Sequence, residues 1–232
     1  MTHLVRVWTV PVDLSPEASE RCWDALDDGE RASANTFLSA RQRRQFTVAH
    51  GVLRILVGRE LHASPADLTW IPGRHGKPEL TPPWSGLHTN VSHSRGMIAV
   101  AIGADRPVGV DIQHLLPGLD TVGMSARFFR PDEAEYVGAG PDAVTRADRF
   151  AHLWVRKEAI VKAAGGRLWP NLSMPVHGRE VVTCADPAGP YRVVDVAAPA
   201  GYRAAVALAG SAPFVVETTG WFTETELSTM GI

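Results

Sequence analysis

The apolar positions of the chain follow two periodicities that alternate along its length. A spacing of about 3.6 residues, typical of amphipathic helices, predicts a short helix at Ser15–Asp28, long helices at Arg41–Leu61 and Ala143–Ala164, and shorter ones within 121–138. Short apolar runs bounded by Gly and Pro predict strands. These lie near 4–10, 68–71, 87–91, 97–102, 107–112, 180–184, 191–196, 202–208 and 214–219. The mixture predicts an α+β protein.

The second half of this pattern repeats the first at a nearly constant spacing. The strands at 4 and 107 lie 103 residues apart, the long helices about 102 and the strands at 97 and 202 lie 105 apart. Such an offset predicts two similar α+β lobes, each a small sheet packed on one long helix. We therefore predict an N-terminal lobe at 1–105 and a C-terminal lobe at 106–232 in a pseudo-duplicated fold.

Composition and charge exclude several classes of protein. With 45% hydrophobic and 21% charged residues in 232, the chain resembles a globular protein that buries an apolar core. A net charge of −2 provides no basic field for nucleic acid, and two cysteines are too few for a disulfide scaffold. No apolar run approaches the ~20 residues of a membrane span, and no secretory leader is evident. We expect a cytoplasmic protein that contacts neither membrane nor nucleic acid.

Two carboxylates stand out because of the elements that carry them. Trp154, Glu158 and Lys162 are spaced i, i+4, i+8 and share one helix face. In the strand near 107–112, alternation separates Gly109, Asp111 and Gln113 from the valines and the isoleucine. Taken alone, the first set is an exposed Glu–Lys pair and Asp111 a turn residue. Taken together, a strand carboxylate and a helix carboxylate could meet at one hard cation, and the glycine permits close approach of another group.

Two further segments suit an anionic ligand. Asn90-Val91-Ser92-His93 ends a predicted strand, where its side chains and backbone N–H groups could receive a phosphate. Gly76-Lys77-Pro78 has the composition of an ordinary turn. For the first segment, a plain polar exit from a strand is an equally good interpretation.

These four segments occur together and in order, and with them the chain resembles the phosphopantetheinyl transferases, specifically the two-lobed, single-chain (Sfp-like) branch. The family's landmarks are a G-[IV]-D-[IV]-E strand and a W-x-x-K-E-x-x-x-K helix, preceded by a G-K-P turn and an N-[IV]-S-H segment. The resemblance covers about residues 37–208. It implies transfer of the 4′-phosphopantetheine arm of coenzyme A to a serine of an apo acyl or peptidyl carrier protein, with release of 3′,5′-ADP.

The resemblance also assigns roles near the metal. Asp111 and Glu158 would hold Mg²⁺, or Mn²⁺ as the alternative, against the coenzyme A diphosphate. Glu158 would take the serine proton, and Lys162 would contact the diphosphate. Gln113 stands where the family has a glutamate, so it would be a third ligand, directly or through water, at a site with weaker Mg²⁺ affinity. Lys157 lies off this helix face and receives no role.

For the coenzyme's other end, the resemblance implies that Lys77, Ser92 and His93 hold the 3′-phosphate and adenosine. Arg54 is placed as a phosphate-contacting or structural arginine. Since both lobes supply residues, one chain completes its own site and we expect a monomer. The carrier would enter along Leu115–Tyr136, where Met124, Phe128 and Phe129 offer either an apolar contact or core packing.

Two other functions use the same residues. One is a different Mg²⁺-dependent phosphotransferase or a nuclease, which the lack of a G-x-x-x-x-G-K-[ST] loop and of a basic field disfavours. The other is a non-catalytic homologue that only binds coenzyme A or carrier proteins. Product formation separates this homologue from the enzyme, whereas binding does not.

Overall fold

The computed structural model describes residues 3–219, so the end of the predicted C-terminal lobe, 220–232, lies outside it. The helices are α1 (Pro16–Asp24), α2 (Asp28–Thr36), α3 (Ala40–Leu61), α4 (Thr121–Phe128), α5 (Pro131–Gly138) and α6 (Ala143–Ala164). The strands are β1 (His3–Pro11), β2 (Trp70–Pro72), β3 (Pro78–Leu80), β4 (Leu87–Ser94), β5 (Met97–Ala104), β6 (Val108–His114), β7 (Val181–Ala185), β8 (Ala188–Val196), β9 (Tyr202–Ala209) and β10 (Phe214–Thr219). The α+β class is confirmed.

The predicted end of the first helix is wrong, because the helix predicted to reach Asp28 ends earlier and a second helix begins there. α1 ends at Asp24, and α2 begins after Asp27, whose side chain accepts a hydrogen bond from the Glu30 backbone N–H at 2.8 Å. The Glu30 side chain accepts in return from the Asp27 N–H at 3.2 Å. This capping box starts a new helix where the prediction extended the old one to Asp28.

The two large sheets have the same core topology. Their strand orders are β10-β1-β5-β4 and β6-β9-β8-β7, so β1-β5-β4 corresponds to β6-β9-β8, with antiparallel pairing throughout each trio. The pseudo-duplication expected from the sequence is therefore present in the sheets. β10 follows the second lobe's strands in the chain but pairs in parallel with β1 of the first sheet. The lobe boundary at 105/106 stays a prediction.

The sheets pack face to face, with one long helix on each outer side. Towards α3, the first sheet presents Trp8, Val10, Ile98, Val100 and Ile102. Its other face carries Val5, Val7, Met97, Ala99 and Ala101, which pack against Val108, Val110, Ile112, Val206 and Leu208 of the second sheet. Both faces of β5 are therefore covered, which explains its uninterrupted apolar run.

Among residues 3–219, no helix combines the length and the apolar character that crossing a membrane would require.

Candidate active site

Side chains join the two sheets at their neighbouring edges, β4 and β6. The Asn90 side-chain oxygen accepts a hydrogen bond from the Val110 N–H at 2.9 Å, and the Ser94 hydroxyl accepts from the His114 N–H at 3.0 Å. Because side chains two apart on a strand share one face, Ser92 faces β6 between them. This role of Asn90 and Ser94 was not predicted, although the alternation of polar residues at 90, 92 and 94 indicates it.

A polar centre lies between these strands and helix α6. One carboxylate oxygen of Asp111 accepts hydrogen bonds from the Ser92 hydroxyl and the Lys162 ammonium, each at 2.6 Å. Lys162 also donates to the Ser92 hydroxyl at 2.8 Å. Asp111 is only 5% exposed, and these hydrogen bonds compensate for the desolvation of its carboxylate.

Gly109 brings α6 close enough to reach this centre. A Cβ at this position would lie 2.2 Å from the Ala159 carbonyl oxygen and 2.3 Å from the Ala163 nitrogen. No side chain fits there, so the helix lies directly on the β6 backbone. Asp111 is two residues along the strand, on the same face as the glycine. The helix residues Glu158 and Lys162 are therefore brought to it.

The site opens into a cavity of about 670 Å³ between α3 on one side and β6 with α6 on the other. It is lined by Phe37, Gln42, Gln45, Phe46, Ala49, His50, Val91, Ser92, His93, Asp111, Ile112, Gln113, Trp154, Glu158 and Lys162. All members of the predicted helix face and strand face except Gly109 are in this lining. The aromatic side of the cavity on α3, where the rings of Phe46 and His50 stack with their centroids 4.0 Å apart, was not predicted.

The pKa values of two ionisable side chains in the cavity are shifted by their surroundings. Burial raises the pKa of Glu158 to about 7, and the negative charge of Asp111 adds to this while Lys162 opposes it. Burial lowers the pKa of His93, and the positive charge of Lys162 acts in the same direction. The Nδ1 atom of His93 is hydrogen-bonded to the Gln45 amide nitrogen at 2.9 Å.

The donor set fits a hard divalent cation held by few protein ligands. Two carboxylates, Asp111 and Glu158, face the same cavity, and their mutual repulsion contributes to the raised pKa of Glu158. Within residues 3–219 there is no group of three His, Cys, Asp or Glu side chains suited to a metal. Mg²⁺ commonly takes one or two carboxylates plus substrate phosphates. Gln113 lines the cavity and donates its amide N–H to the His114 carbonyl at 2.9 Å.

Arg54 lies away from this cavity, which corrects its predicted contact with a coenzyme phosphate. It is 1% exposed and is paired with the carboxylates of Asp27 and Glu30. It also donates to the carbonyl oxygens of Pro65 at 2.7 Å and Leu68 at 3.0 Å. Because its side chain is buried and hydrogen-bonded within the protein, Arg54 has the second of its two predicted roles, that of a structural arginine.

Lys77 also lies outside the main cavity. Its ammonium donates to the carbonyl oxygens of Val108 at 2.9 Å and Ala163 at 3.0 Å. It lines a separate cavity of about 190 Å³. Burial lowers the pKa of Lys77 to about 8, against the opposing charge of Glu79. Its predicted contact with the 3′-phosphate of coenzyme A stays a prediction.

Lys157 is fully buried on another side of α6. Its ammonium lies 2.6 Å from the Glu133 carboxylate, whose other oxygen accepts from the backbone N–H groups of Val176 and His177. The pair ties α5 and the segment around 176 to α6, in keeping with the absence of a predicted catalytic role.

The residues predicted to meet a carrier protein divide between core and surface. Phe129 is buried and stacks on Phe150 at 5.2 Å, so it belongs to the core. Met124 and Phe128 are partly buried at the edge of this cluster. Phe128 lies 5.4 Å from the ring of Trp169, which is 69% exposed.

Comparison with known proteins adds independent information. Residues 107–207 match the model of the 4′-phosphopantetheinyl transferase superfamily. The matched segment runs from the start of β6 almost to the end of β9 and therefore includes Asp111, Glu158 and Lys162.

Most of the chain is similar to individual proteins of this kind. It is 33% identical to the 4′-phosphopantetheinyl transferase HetI of Nostoc sp. over 163 residues, and this aligned segment covers 69% of this chain and 68% of that protein. It is 29% identical over 175 residues to a 4′-phosphopantetheinyl transferase of Bacillus subtilis, 74% of each chain. With the 4′-phosphopantetheinyl transferase Sfp of Bacillus subtilis it shares 25% identity over 201 residues, 84% of this chain and 88% of that protein.

Proposed function

The chain belongs to the 4′-phosphopantetheinyl transferase superfamily, and we propose that it uses the cavity between α3 and α6 for a Mg²⁺-dependent transfer. It is a transferase that moves the 4′-phosphopantetheine arm of coenzyme A to a carrier protein. The observation that supports our assignment of the site is the meeting of Asp111, Ser92, Glu158 and Lys162 in one cavity.

In the proposed reaction the carrier serine oxygen attacks the phosphorus that bears the pantetheine arm. A new phosphate ester forms, the bond to the adenosine side of the diphosphate breaks, and 3′,5′-ADP leaves. The serine proton passes to Glu158, directly or through a water. The pKa of about 7 belongs to the site without a cation. A bound Mg²⁺ would lower this pKa, because a nearby positive charge favours the carboxylate, so Glu158 would be ionised and able to accept the proton.

Lys162 would stabilise the leaving group. Its ammonium is held by Asp111 and Ser92, so it is oriented before the substrate arrives. Phosphoryl transfer depends mainly on positioning and charge stabilisation. A fixed positive charge near the diphosphate would offset the charge that develops on 3′,5′-ADP.

Asp111 and Glu158 would hold the Mg²⁺, with the side-chain oxygen of Gln113 as a direct or water-mediated ligand. When bound, the cation supplies positive charge against the diphosphate oxygens. Mn²⁺ offers the same charge and a similar preference for oxygen ligands. Since Gln113 is neutral, the site carries one negative charge fewer than a three-carboxylate site, and weaker Mg²⁺ affinity follows.

Ser92 and His93 remain our assignment for the phosphate and adenosine end of coenzyme A. We assign the carrier partner as an apo acyl or peptidyl carrier protein. Residues 1–105 and 106–232 would act as the two lobes around coenzyme A, and because both contribute to the cavity, a monomer suffices. A net charge of −2 speaks against a nucleic-acid partner.

Intact mass spectrometry of an apo carrier protein tests this function. Incubation with the enzyme, coenzyme A and Mg²⁺ should add the mass of one phosphopantetheine, and EDTA or Glu158→Ala should abolish the gain. Glu20→Ala, at an exposed position of α1, is the matched control and should leave the gain intact. Coenzyme A binding without any mass gain on carriers from several pathways would favour the non-catalytic homologue instead.

A further inference from the structure

Strand β6 forms one edge of its sheet, so the N–H groups on its free side have no partner within that sheet. The strand order β6-β9-β8-β7 places a neighbour on one side of β6 only. Successive N–H groups of a strand point to opposite edges, so those of Val110 and His114, four residues apart, point to the same side. Val110 is buried, and a buried N–H without an acceptor costs about as much as a lost hydrogen bond. β6 therefore requires acceptors from outside its own sheet.

The side chains of β4, in the first sheet, supply these acceptors. Asn90 accepts from the Val110 N–H at 2.9 Å, and Ser94 accepts from the His114 N–H at 3.0 Å. The partners in each pair are 20 residues apart in the chain, so both bonds keep the same register. Along each strand the two bonds are separated by four residues, which is about 13 Å. Two bonds at this separation fix both the direction and the offset of β6 relative to β4.

The remaining contact between the two sheets is apolar and does not specify such an offset. It consists of packed aliphatic side chains, with Val5 and Ala99 on one sheet and Val108 and Val206 on the other. Apolar contact is non-directional, and side chains two residues apart share a face. A shift of β6 by two residues would therefore bury a similar apolar area. Hydrogen bonds are directional, and a satisfied polar network specifies one arrangement.

The polar centre of the site lies between the two bonds. Asp111 directly follows Val110, and its carboxylate accepts from Ser92, which lies between Asn90 and Ser94 on β4. A shift of two residues would move Asp111 by about 7 Å along the strand and separate it from Ser92. The bonds on either side of Asp111 oppose that shift.

We infer that Asn90 and Ser94 are positioning residues: their side chains set the register of β6 against β4 and thereby hold Asp111 opposite Ser92. Both residues lie outside the set that lines the main cavity, so they act through the strands and not by contact with a ligand there. The inference rests on the proposed function, because the positioned carboxylate is one of those assigned to catalysis.

Amide hydrogen exchange followed by NMR gives the first test, and its first arm needs only the wild-type protein. Without coenzyme A, the Val110 and His114 amides should exchange slowly, although their acceptors are side chains. Asn90→Ala should speed the exchange at Val110 by about tenfold, the factor expected for one hydrogen bond, and Ser94→Ala should do the same at His114. The inference is overturned if both wild-type amides exchange as fast as those of an unfolded chain, or if Asn90→Ala leaves Val110 unchanged.

Kinetics of the same variants test whether this register matters for transfer. Asn90→Ala should lower kcat by about 10- to 100-fold, because a misplacement of about 1 Å can cost about 100-fold. KM for coenzyme A should stay within about twofold of wild type. Ser94→Thr keeps a hydroxyl acceptor and should retain most of the kcat that Ser94→Ala loses. Asn35→Ala, at an exposed position of α2, is the control and should change neither exchange nor kinetics.

The other outcomes separate this inference from its alternatives. Faster exchange at Val110 with an unchanged kcat would refute the positioning role, since the hydrogen bond would then serve stability alone. If Asn90→Ala raised KM for coenzyme A, left kcat unchanged and erased a preference over 3′-dephospho-coenzyme A, Asn90 would be a coenzyme ligand and the inference would be wrong. A wild-type protein with slow exchange at both amides but without transferase activity would support the hydrogen bonds and contradict the proposed function.

Discussion

In the metal-free protein, Glu158→Gln should raise the free energy of unfolding at alkaline pH. The Glu158 carboxylate lies largely buried beside Asp111, and its pKa is raised to about 7 from an ordinary value of 4.5. The folded state therefore holds a proton that the unfolded state has already released. Stability that is present below about pH 4.5 is lost as the pH rises through about 7. Glutamine stays neutral and avoids this loss.

The size of the effect follows from the same two values. A change in pKa from 4.5 to about 7 corresponds to about 3 kcal/mol, since each pKa unit is worth about 1.4 kcal/mol. Solvent in the open cavity screens part of this, so about 2 kcal/mol is expected between about pH 5 and pH 8. The sign is opposite to that of a typical salt-bridged carboxylate, which stabilises as the pH rises.

Urea denaturation in EDTA at several pH values measures this difference. The unfolding free energy of Glu158→Gln minus that of wild type should increase by about 2 kcal/mol from about pH 5 to pH 8. Adding Mg²⁺ at the higher pH should stabilise wild type but not the variant. Glu20→Gln, on the exposed surface of α1, should show no pH-dependent difference. A constant difference across this range would refute the claim that Glu158 is destabilised by burial and by Asp111.

Three further outcomes can be checked. Gly109→Ala should lower the unfolding free energy by about 1–3 kcal/mol and reduce kcat, because its Cβ would lie 2.2 Å from the Ala159 carbonyl oxygen. Gly138→Ala is the control, since nothing lies within 4 Å of a Cβ at that position. Equal losses of stability in the two variants would contradict the close approach of α6 to Gly109. Lys157→Met should cost about 3–5 kcal/mol by urea denaturation while leaving KM for coenzyme A unchanged, and a raised KM would place Lys157 in the site. Gln113→Glu should lower the Mg²⁺ concentration for half-maximal activity, and an unchanged titration would show that the added charge does not reach the metal.

Periodicity along the chain accounts for what could be predicted without a structure. The spacing of Trp154, Glu158 and Lys162 requires a common face on any α-helix, and alternation places Gly109 and Asp111 on one side of a strand. The duplicated order of elements likewise predicts two similar sheets, and the strand orders agree with it. These are local properties, because each depends only on the geometry of one element or on the order of neighbouring ones.

Tertiary structure decided the partners of the long side chains and of the sheet edges. Lys77 and Arg54 both resemble phosphate ligands in the sequence, yet Lys77 binds carbonyls 31 and 86 residues away, and Arg54 is paired with Asp27 and Glu30. β10 likewise joins β1 from the far end of the described chain. The sequence alone determined which side chains share a face. Which distant groups meet them depends on how whole elements pack, because buried donors bind whichever acceptors that packing brings within reach.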